Sequence, residues 1–280
     1  MDSSQIVIAG CGFLGEAAAG FFLEAGWSVL GLCATAESAA RLAGRPFPVA
    51  VVDISKRMTP PAGWEHPDVV VHCASSGRGG ADAYRAVYRD GLEHLRAAFS
   101  PKRLIFTGST SVYSQVDGGW VSEESPTEPD RETGRVLLEA EKIALDSGGI
   151  VARLAGIYGP GRSVLFKKFL DGSAVLEAGG NRWINQIHRD DGALALLQLA
   201  QNEAAAGIYN VCDDTPTTQR EIYGWIAGFL NRPLPPEGPA DLNRKRGWTS
   251  KRISNMRLRA LGWTPRYPGY RDALRELAGA

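Results

Sequence analysis

The run at residues 6–15, I-V-I-A-G-C-G-F-L-G, constrains the fold more than any other stretch of the chain. Four β-prone residues lead into Gly10, Gly12 and Gly15, a spacing that predicts a strand, a tight turn and a helix start. Gly10 permits the sharp turn, Gly12 lets backbone N–H groups approach a bound group, and Gly15 lets the helix pack closely on the sheet. The helix is expected over residues 16–25, with Gly26 as its stop and a second strand at 27–32. A glycine turn that merely packs tightly is the plainer reading. The strand before it and the Ala-rich helix after it favour a dinucleotide, its pyrophosphate facing the helix N-terminus, held by Gly10, Gly12, Phe13, Leu14 and Gly15.

Further strand-like runs at 49–52, 69–73, 103–107 and 150–154 alternate with helical segments. That alternation predicts an α/β fold with a doubly wound parallel (Rossmann) sheet. A dinucleotide-binding domain is expected at 1–160. After Gly159-Pro160-Gly161 the alternation fades, so 161–280 reads as a smaller C-terminal α/β substrate lobe, with two or three short strands and some segments returning to the first domain. The chain has 31 basic and 31 acidic residues and a formal net charge of zero, giving no electrostatic footprint for nucleic acid or membrane. No apolar run reaches the ~18 residues of a membrane span, and a cytoplasmic protein is expected. Cys11, Cys33, Cys73 and Cys212 are far apart and read as reduced, partly buried thiols, with no metal site.

The segment L-I-F-T-G-S-T-S-V-Y at 104–113 ends a strand in hydroxyl residues, placing Ser109, Thr110 and Ser111 at the carboxyl edge where open α/β sheets bind ligands. A hydroxyl-rich loop that only caps the next element is the alternative. The run D-V-V-V-H-C-A-S at 68–75 puts the small residues Cys73, Ala74 and Ser75 where a dinucleotide can lie against the backbone. R-L-A-G-I-Y-G-P-G-R at 153–162 ends another strand in a glycine-rich turn.

Together with Asp53 and Ile54 after the third strand, I-H-R-D-D at 187–191 and Y-N-V-C-D-D-T-P from Tyr209, these runs resemble the extended short-chain dehydrogenase/reductase superfamily of NAD-dependent epimerases, dehydratases and reductases. The resemblance covers nearly the whole chain. It implies a bound nicotinamide dinucleotide, a C-terminal lobe over a small-molecule substrate, a homodimer, and Ser109 as the catalytic serine. The family also relies on a Y-x-x-x-K pair, whose lysine lowers the tyrosine pKa and holds the nicotinamide ribose. Here P-D-R-E-T-G-R-V-L-L-E-A-E places Thr133 at the tyrosine position and Leu137 at the lysine position. The pair is absent. A threonine hydroxyl is far too weak an acid to replace a tuned phenol, which leaves Ser109, Tyr113 and Thr133 as catalytic candidates. The T-G-R-V-L-L-E-A-E run resembles a YeeZ-type subgroup of the superfamily.

Nucleotide-sugar members carry an arginine three residues before the Ile-His pair; this chain has Ile184 there, and Arg182 two residues earlier. The asparagine usual two residues before the tyrosine of the Y-G-P turn is Gly156. A different ligand is therefore expected, with Arg162 and Arg182 able to meet an anionic group. Tyr113 reads as a buried aromatic before a proton donor, and His188 as part of a turn capped by Asp190 and Asp191 ahead of a helix at 192–201. Glu123 and Glu124 read as solvated, with Glu124 near the site mouth by resemblance; Arg135 is as readily exposed as catalytic. The basic run at 244–259 reads as structural, with Ser254 or Asn255 capping a short helix. No acid follows the second strand until Glu37, and Thr35 before it resembles a helix cap, with Arg41 a turn later. The choice between NAD and NADP leans to NADP. Two functions follow: an NAD(P)-dependent oxidoreductase or epimerase-like enzyme with a non-standard proton donor, or a dinucleotide-binding sensor or interaction protein without hydride chemistry.

Overall fold

The computed structural model describes residues 3–77, 79–241 and 248–279. Strand β1 (Gln5–Ala9) lies inside the main sheet, with Ile6, Val7 and Ile8 fully buried. Burying each such side chain contributes about 1.5–3 kcal/mol, so a run apolar on both faces is driven to the middle of a parallel sheet. It pairs in parallel with β2 (Ser28–Cys33) on one side and β4 (Val69–His72) on the other. With β3 (Val49–Val51) and β5 (Arg103–Ser109), the seven-stranded order is Gly207–Val211, Ile150–Leu154, β5, β4, β1, β2, β3. The order reverses between β1 and β4, which is the switch point where such sheets open a crevice at their carboxyl ends.

All six expected strands are present within two residues of their expected ends. Helix α1 (Phe13–Glu24) begins three residues before the expected start at residue 16. Gly12 is its N-cap, and the Glu16 N–H donates to the Gly12 carbonyl at 2.7 Å, so Gly15 sits inside the first turn. Gly26 follows the helix at φ +83°, a left-handed conformation that glycine adopts without strain.

The chain divides into two compact units, Met1–Ser109 with Glu132–Arg153 and Ala193–Tyr209, and Thr110–Arg131 with Leu154–Gly192 and Asn210–Ala280. The first contains β1 to β5 and the amphipathic helix Glu132–Asp146. The second has its own core of Tyr158, Phe166, Phe169, Ile222, Tyr223, Tyr270 and neighbouring apolar groups. Among the described residues after Gly161 there are seven short strands, not two or three. Six of these pair in two-stranded ladders, such as Trp183–Ile184 with Thr217–Thr218, and strands of two or three residues are too short to show a period in sequence. The helix expected at 192–201 is Arg189–Gln201, which places Asp190 and Asp191 in its first turn.

Candidate dinucleotide and catalytic site

The glycine loop is shaped by two glycines that have no room and one that has. A Cβ on Gly10, at φ +89°, would lie 2.3 Å from the Ala74 backbone, and one on Gly15 would lie 2.4 Å from the Gly10 carbonyl oxygen. Both glycines are fixed by close backbone approach. A Cβ on Gly12 would meet nothing within 4 Å, and no side chain caps the helix that Gly12 opens. The first-turn N–H groups of α1 thus face space kept clear of side chains, which is the environment a pyrophosphate requires. Leu14 is buried beneath this loop and Phe13 is half-buried beside it. The residues present fit a dinucleotide.

At the end of β2, the exposed Thr35 caps the helix α2 (Ala36–Ala40), its Oγ1 accepting from the Ser38 N–H at 3.1 Å. Arg41 donates to Ser38 Oγ at 3.0 Å and lies 3.6 Å from Glu37, both partners being exposed. Glu37, the first acid after β2 in the sequence, therefore has a cation beside it. After β3, Asp53 accepts from the Ser55 hydroxyl at 2.6 Å and the Ser55 N–H at 3.1 Å, bonds that hold its carboxyl below the ordinary range. Ile54 is buried against Gly91, where a Cβ would come within 3.0 Å of its Cδ1, and its carbonyl accepts from His94 Nδ1 at 3.0 Å.

Beyond β4, the Cys73 N–H donates to the Ala9 carbonyl at 2.7 Å, which draws Ala74 against Gly10. Ser75 is exposed and its Oγ accepts from the Gly77 N–H at 3.3 Å. Burial pushes the thiols of Cys11, Cys33 and Cys73 up, Cys11 to about 12, so these three groups line the loop's support as neutral packing. All four cysteines are free, and Cys73 is the least buried of them.

Ser109 is the last residue of β5 and is nearly buried, while Thr110–Val112 forms a single 3-10 turn after it. Three residues back, β5 is in register with the end of β4 through His72 and Phe106, so Ser109 extends the carboxyl edge beyond its neighbour. On helix Glu132–Asp146, Thr133 is half-buried, Arg135 is exposed and Leu137 is buried. One turn further on, Glu141 makes a buried two-point ion pair with Arg153, at 2.6 and 2.9 Å, and its Oε1 would lie 3.1 Å from a Cβ on Gly108. This pair ties the helix to the sheet just below Ser109, and the sequence reading missed it. The available signal was Arg153, a single charge inside an otherwise apolar strand run.

Tyr113 belongs to the second unit, is fully buried, and its hydroxyl donates to Asn210 Oδ1 at 2.9 Å. That is the packing alternative for this residue. Glu123, expected in solvent, is instead half-buried and accepts from the Asn210 N–H at 2.7 Å; burial raises its carboxyl. Glu124 is exposed. His188 has no exposed surface, lies 2.7 Å from Glu276 Oε2, and packs its ring on Tyr267 and Tyr158. Asp191 accepts from the N–H groups of Arg266 and Tyr267 at 2.7 and 2.9 Å, so it holds the C-terminal segment as well as opening its helix. Ser254 and Asn255 precede the short helix Met256–Arg259, but the Asn255 amide turns away to the carbonyls of Cys212 and Asp213. The start of the basic run, Arg244 to Arg246, lies outside the described residues.

Known proteins share this sequence pattern and fold. Over 279 residues the chain is 29% identical to Protein YeeZ of Escherichia coli strain K12, spanning 94% of this chain and 96% of that protein. It is 31% identical over 174 residues, 56% of this chain and 54% of that one, to the 3-diazoavenalumate denitrifying reductase of a Streptomyces species. The UDP-glucose 4-epimerase of Thermotoga maritima, solved with UDP-glucose, shares the fold at a TM-score of 0.80 and 18% identity, over 98% of this chain and 97% of that one. The model of the NAD dependent epimerase/dehydratase family matches residues 6–212, and the chain belongs to that family.

Proposed function

We propose that this protein is an NAD(P)-dependent reductase of a small molecule. The observation that carries the reading is the contrast within the glycine loop, where Gly10 and Gly15 are closed by backbone and Gly12 opens on clear space at the N-terminus of α1. A bound nicotinamide dinucleotide would supply the hydride. Gly12 and the first turn of α1 would hold its pyrophosphate, and Asp53, Ile54 and the backbone of Cys73 to Ser75 would contact the rest of it. Thr35, Ser38 and Arg41 favour NADP, because Arg41 already presents a guanidinium beside a hydroxyl and offsets Glu37.

Reduction is favoured over epimerisation by what the helix Glu132–Asp146 lacks. Epimerisation needs a group that both removes and returns a proton; Thr133 beside a buried Leu137 offers neither a tuned phenol nor a lysine. One-way reduction of an electron-poor acceptor asks only for a hydroxyl that orients the accepting atom, a role for Ser109 with Thr133, while solvent provides the proton. The Streptomyces relative carries the name of a reductase. We propose that it works as a cytoplasmic homodimer, on the family resemblance.

A second reading, a dinucleotide sensor without turnover, is favoured by the apolar Leu137 and by the commitment of the Tyr113 hydroxyl to Asn210. Titration with NADPH and NADH, followed by nicotinamide fluorescence, tests what the two share; binding of neither would defeat both. Oxidation of NADPH is then followed with carbonyl, imine and diazo acceptors. Turnover lost in Ser109→Ala supports the reductase, and turnover unchanged in that variant removes Ser109 from it. Absence of turnover, with oxidised and reduced cofactor bound at different affinity, supports the sensor.

A further inference from the structure

The stretches N-R-W-I-N-Q at 181–186 and W-T-S-K-R-I at 248–253 contain three cations and no carboxylate. Both belong to the second unit, and the fold lays them side by side. The Trp183 N–H donates to Ser250 Oγ at 3.2 Å, the Asn185 amide donates to the Lys251 carbonyl at 2.9 Å, and the Ile253 N–H donates to Asn185 Oδ1 at 2.7 Å.

Arg252 is held by its neighbours. It lies between the rings of Trp120 and Trp183, at 5.2 and 5.1 Å, and its Nε donates to the Gly118 carbonyl at 2.8 Å. Lys251 is 4% exposed, and its ammonium donates to two neutral acceptors, the Tyr113 carbonyl at 2.7 Å and Thr249 Oγ1 at 3.0 Å. Among the described residues no carboxylate pairs with it. Arg182 is half-buried, its Nε is buried without a partner, and its charge is close enough to act on Lys251. In the same two stretches the Trp248 Nε1 and the Gln186 side-chain oxygen are also buried without partners.

Leaving a buried donor without an acceptor is costly, and bringing two cations together out of water is costlier still. Burial, with Arg182 adding to it, pulls the Lys251 ammonium down to about 8. A buried water would satisfy an N–H but would leave the charges unbalanced. An oxyanion would do both, accepting from the guanidinium and the indole while neutralising the pair.

We propose that Arg182 and Lys251, with the Trp248 indole N–H, bind an oxyanion, a carboxylate or a phosphate, carried by the small molecule on which the protein acts. The site rests on the reductase reading only for its role; the binding itself is independent of it.

Calorimetric titration of the purified full chain with inorganic phosphate, with benzoate, and with benzamide as the uncharged counterpart of benzoate tests the site. At least one anion should bind at millimolar concentration, and benzamide should not. Preference for benzoate identifies a carboxylate site, and preference for phosphate a phosphate site. Arg182→Gln and Lys251→Gln should each weaken the anion at least tenfold, and Arg182→Lys, which keeps the charge, should recover part of the loss. Thermal melts establish that each variant is folded; should Lys251→Gln fail to fold, the comparison of Arg182→Gln with Arg182→Lys decides. Neither anion binding, or equal binding by wild type and both glutamine variants, would overturn the proposal. NADPH titration of the same samples separates the two claims: its failure in wild type removes the dinucleotide reading and leaves the anion result standing.

Discussion

Gly10 and Gly15 leave no room for a methyl group, whereas Lys251 is a long charged side chain enclosed among neutral acceptors and Arg182 keeps its Nε buried without a partner. The glycine loop shapes its site by subtraction. Its recognition groups are backbone N–H donors, which every residue carries, so the sequence needs only to remove side chains at the correct spacing. The second unit works by addition, with charges and hydroxyls brought together from segments far apart in the chain. Backbone sites of the first kind are written locally, and side-chain sites of the second kind depend on the whole fold.

The largest effect should come from the buried pair that unites both kinds of construction, Glu141 with Arg153 beneath Gly108. Glu141→Ala removes the carboxylate partner of a buried guanidinium and should cost about 3–5 kcal/mol in urea unfolding. A loss under about 1 kcal/mol would show that the pair is not holding the helix to the sheet.

Next in size is the pH dependence of Lys251. Its folded pKa, about 8, lies below the ordinary 10.5, so between these values the unfolded chain binds more protons and stability rises with pH. Arg182 is the charge that acts on it. The gain should reach about 3 kcal/mol, the free-energy equivalent of that difference. Buried thiols and tyrosines, whose pKa values are raised, oppose this trend above pH 9. The measurement is therefore the difference between wild type and Lys251→Met from pH 7 to 10, and an identical pH profile in the two proteins would dismiss the effect.

Gly12→Val sharpens the contrast within the loop itself. Its side chain enters space that is open in the structure, so the melting temperature should stay close to wild type while NADPH affinity falls about a hundredfold, or ~2.7 kcal/mol. Gly15→Val, against the Gly10 carbonyl, should lower the melting temperature as well. Equal affinity of wild type and Gly12→Val for NADPH would move the cofactor away from this loop.

The smallest effect is expected at Tyr113. Deleting its hydroxyl in Tyr113→Phe removes one buried hydrogen bond to Asn210 and should cost about 1 kcal/mol, with kcat unchanged. A large fall in kcat at constant stability would return this residue to the catalytic candidates.

The main sheet was legible because its strands are apolar on both faces and bounded by glycine, a pattern that needs no knowledge of partners. The start of α1 was misplaced by three residues, since a glycine at a helix N-terminus looks in sequence like the loop before it. Glu123 illustrates the limit more sharply. Beside Glu124 in an acidic loop it reads as solvated, yet it satisfies the Asn210 N–H, 87 residues away in the chain. No local pattern carries that information.

By itself the sequence determined the doubly wound sheet, the glycine cradle at its switch point and the absence of the Tyr and Lys pair. Each is a matter of residue type at fixed short spacing. Tertiary structure alone decided that Tyr113 gives its hydroxyl to Asn210, that Glu141 meets Arg153, and that Lys251 lies buried within the influence of Arg182 and without a carboxylate. Such pairings depend on which distant segments share a low-dielectric interior, where an unmatched charge acquires the energy to matter.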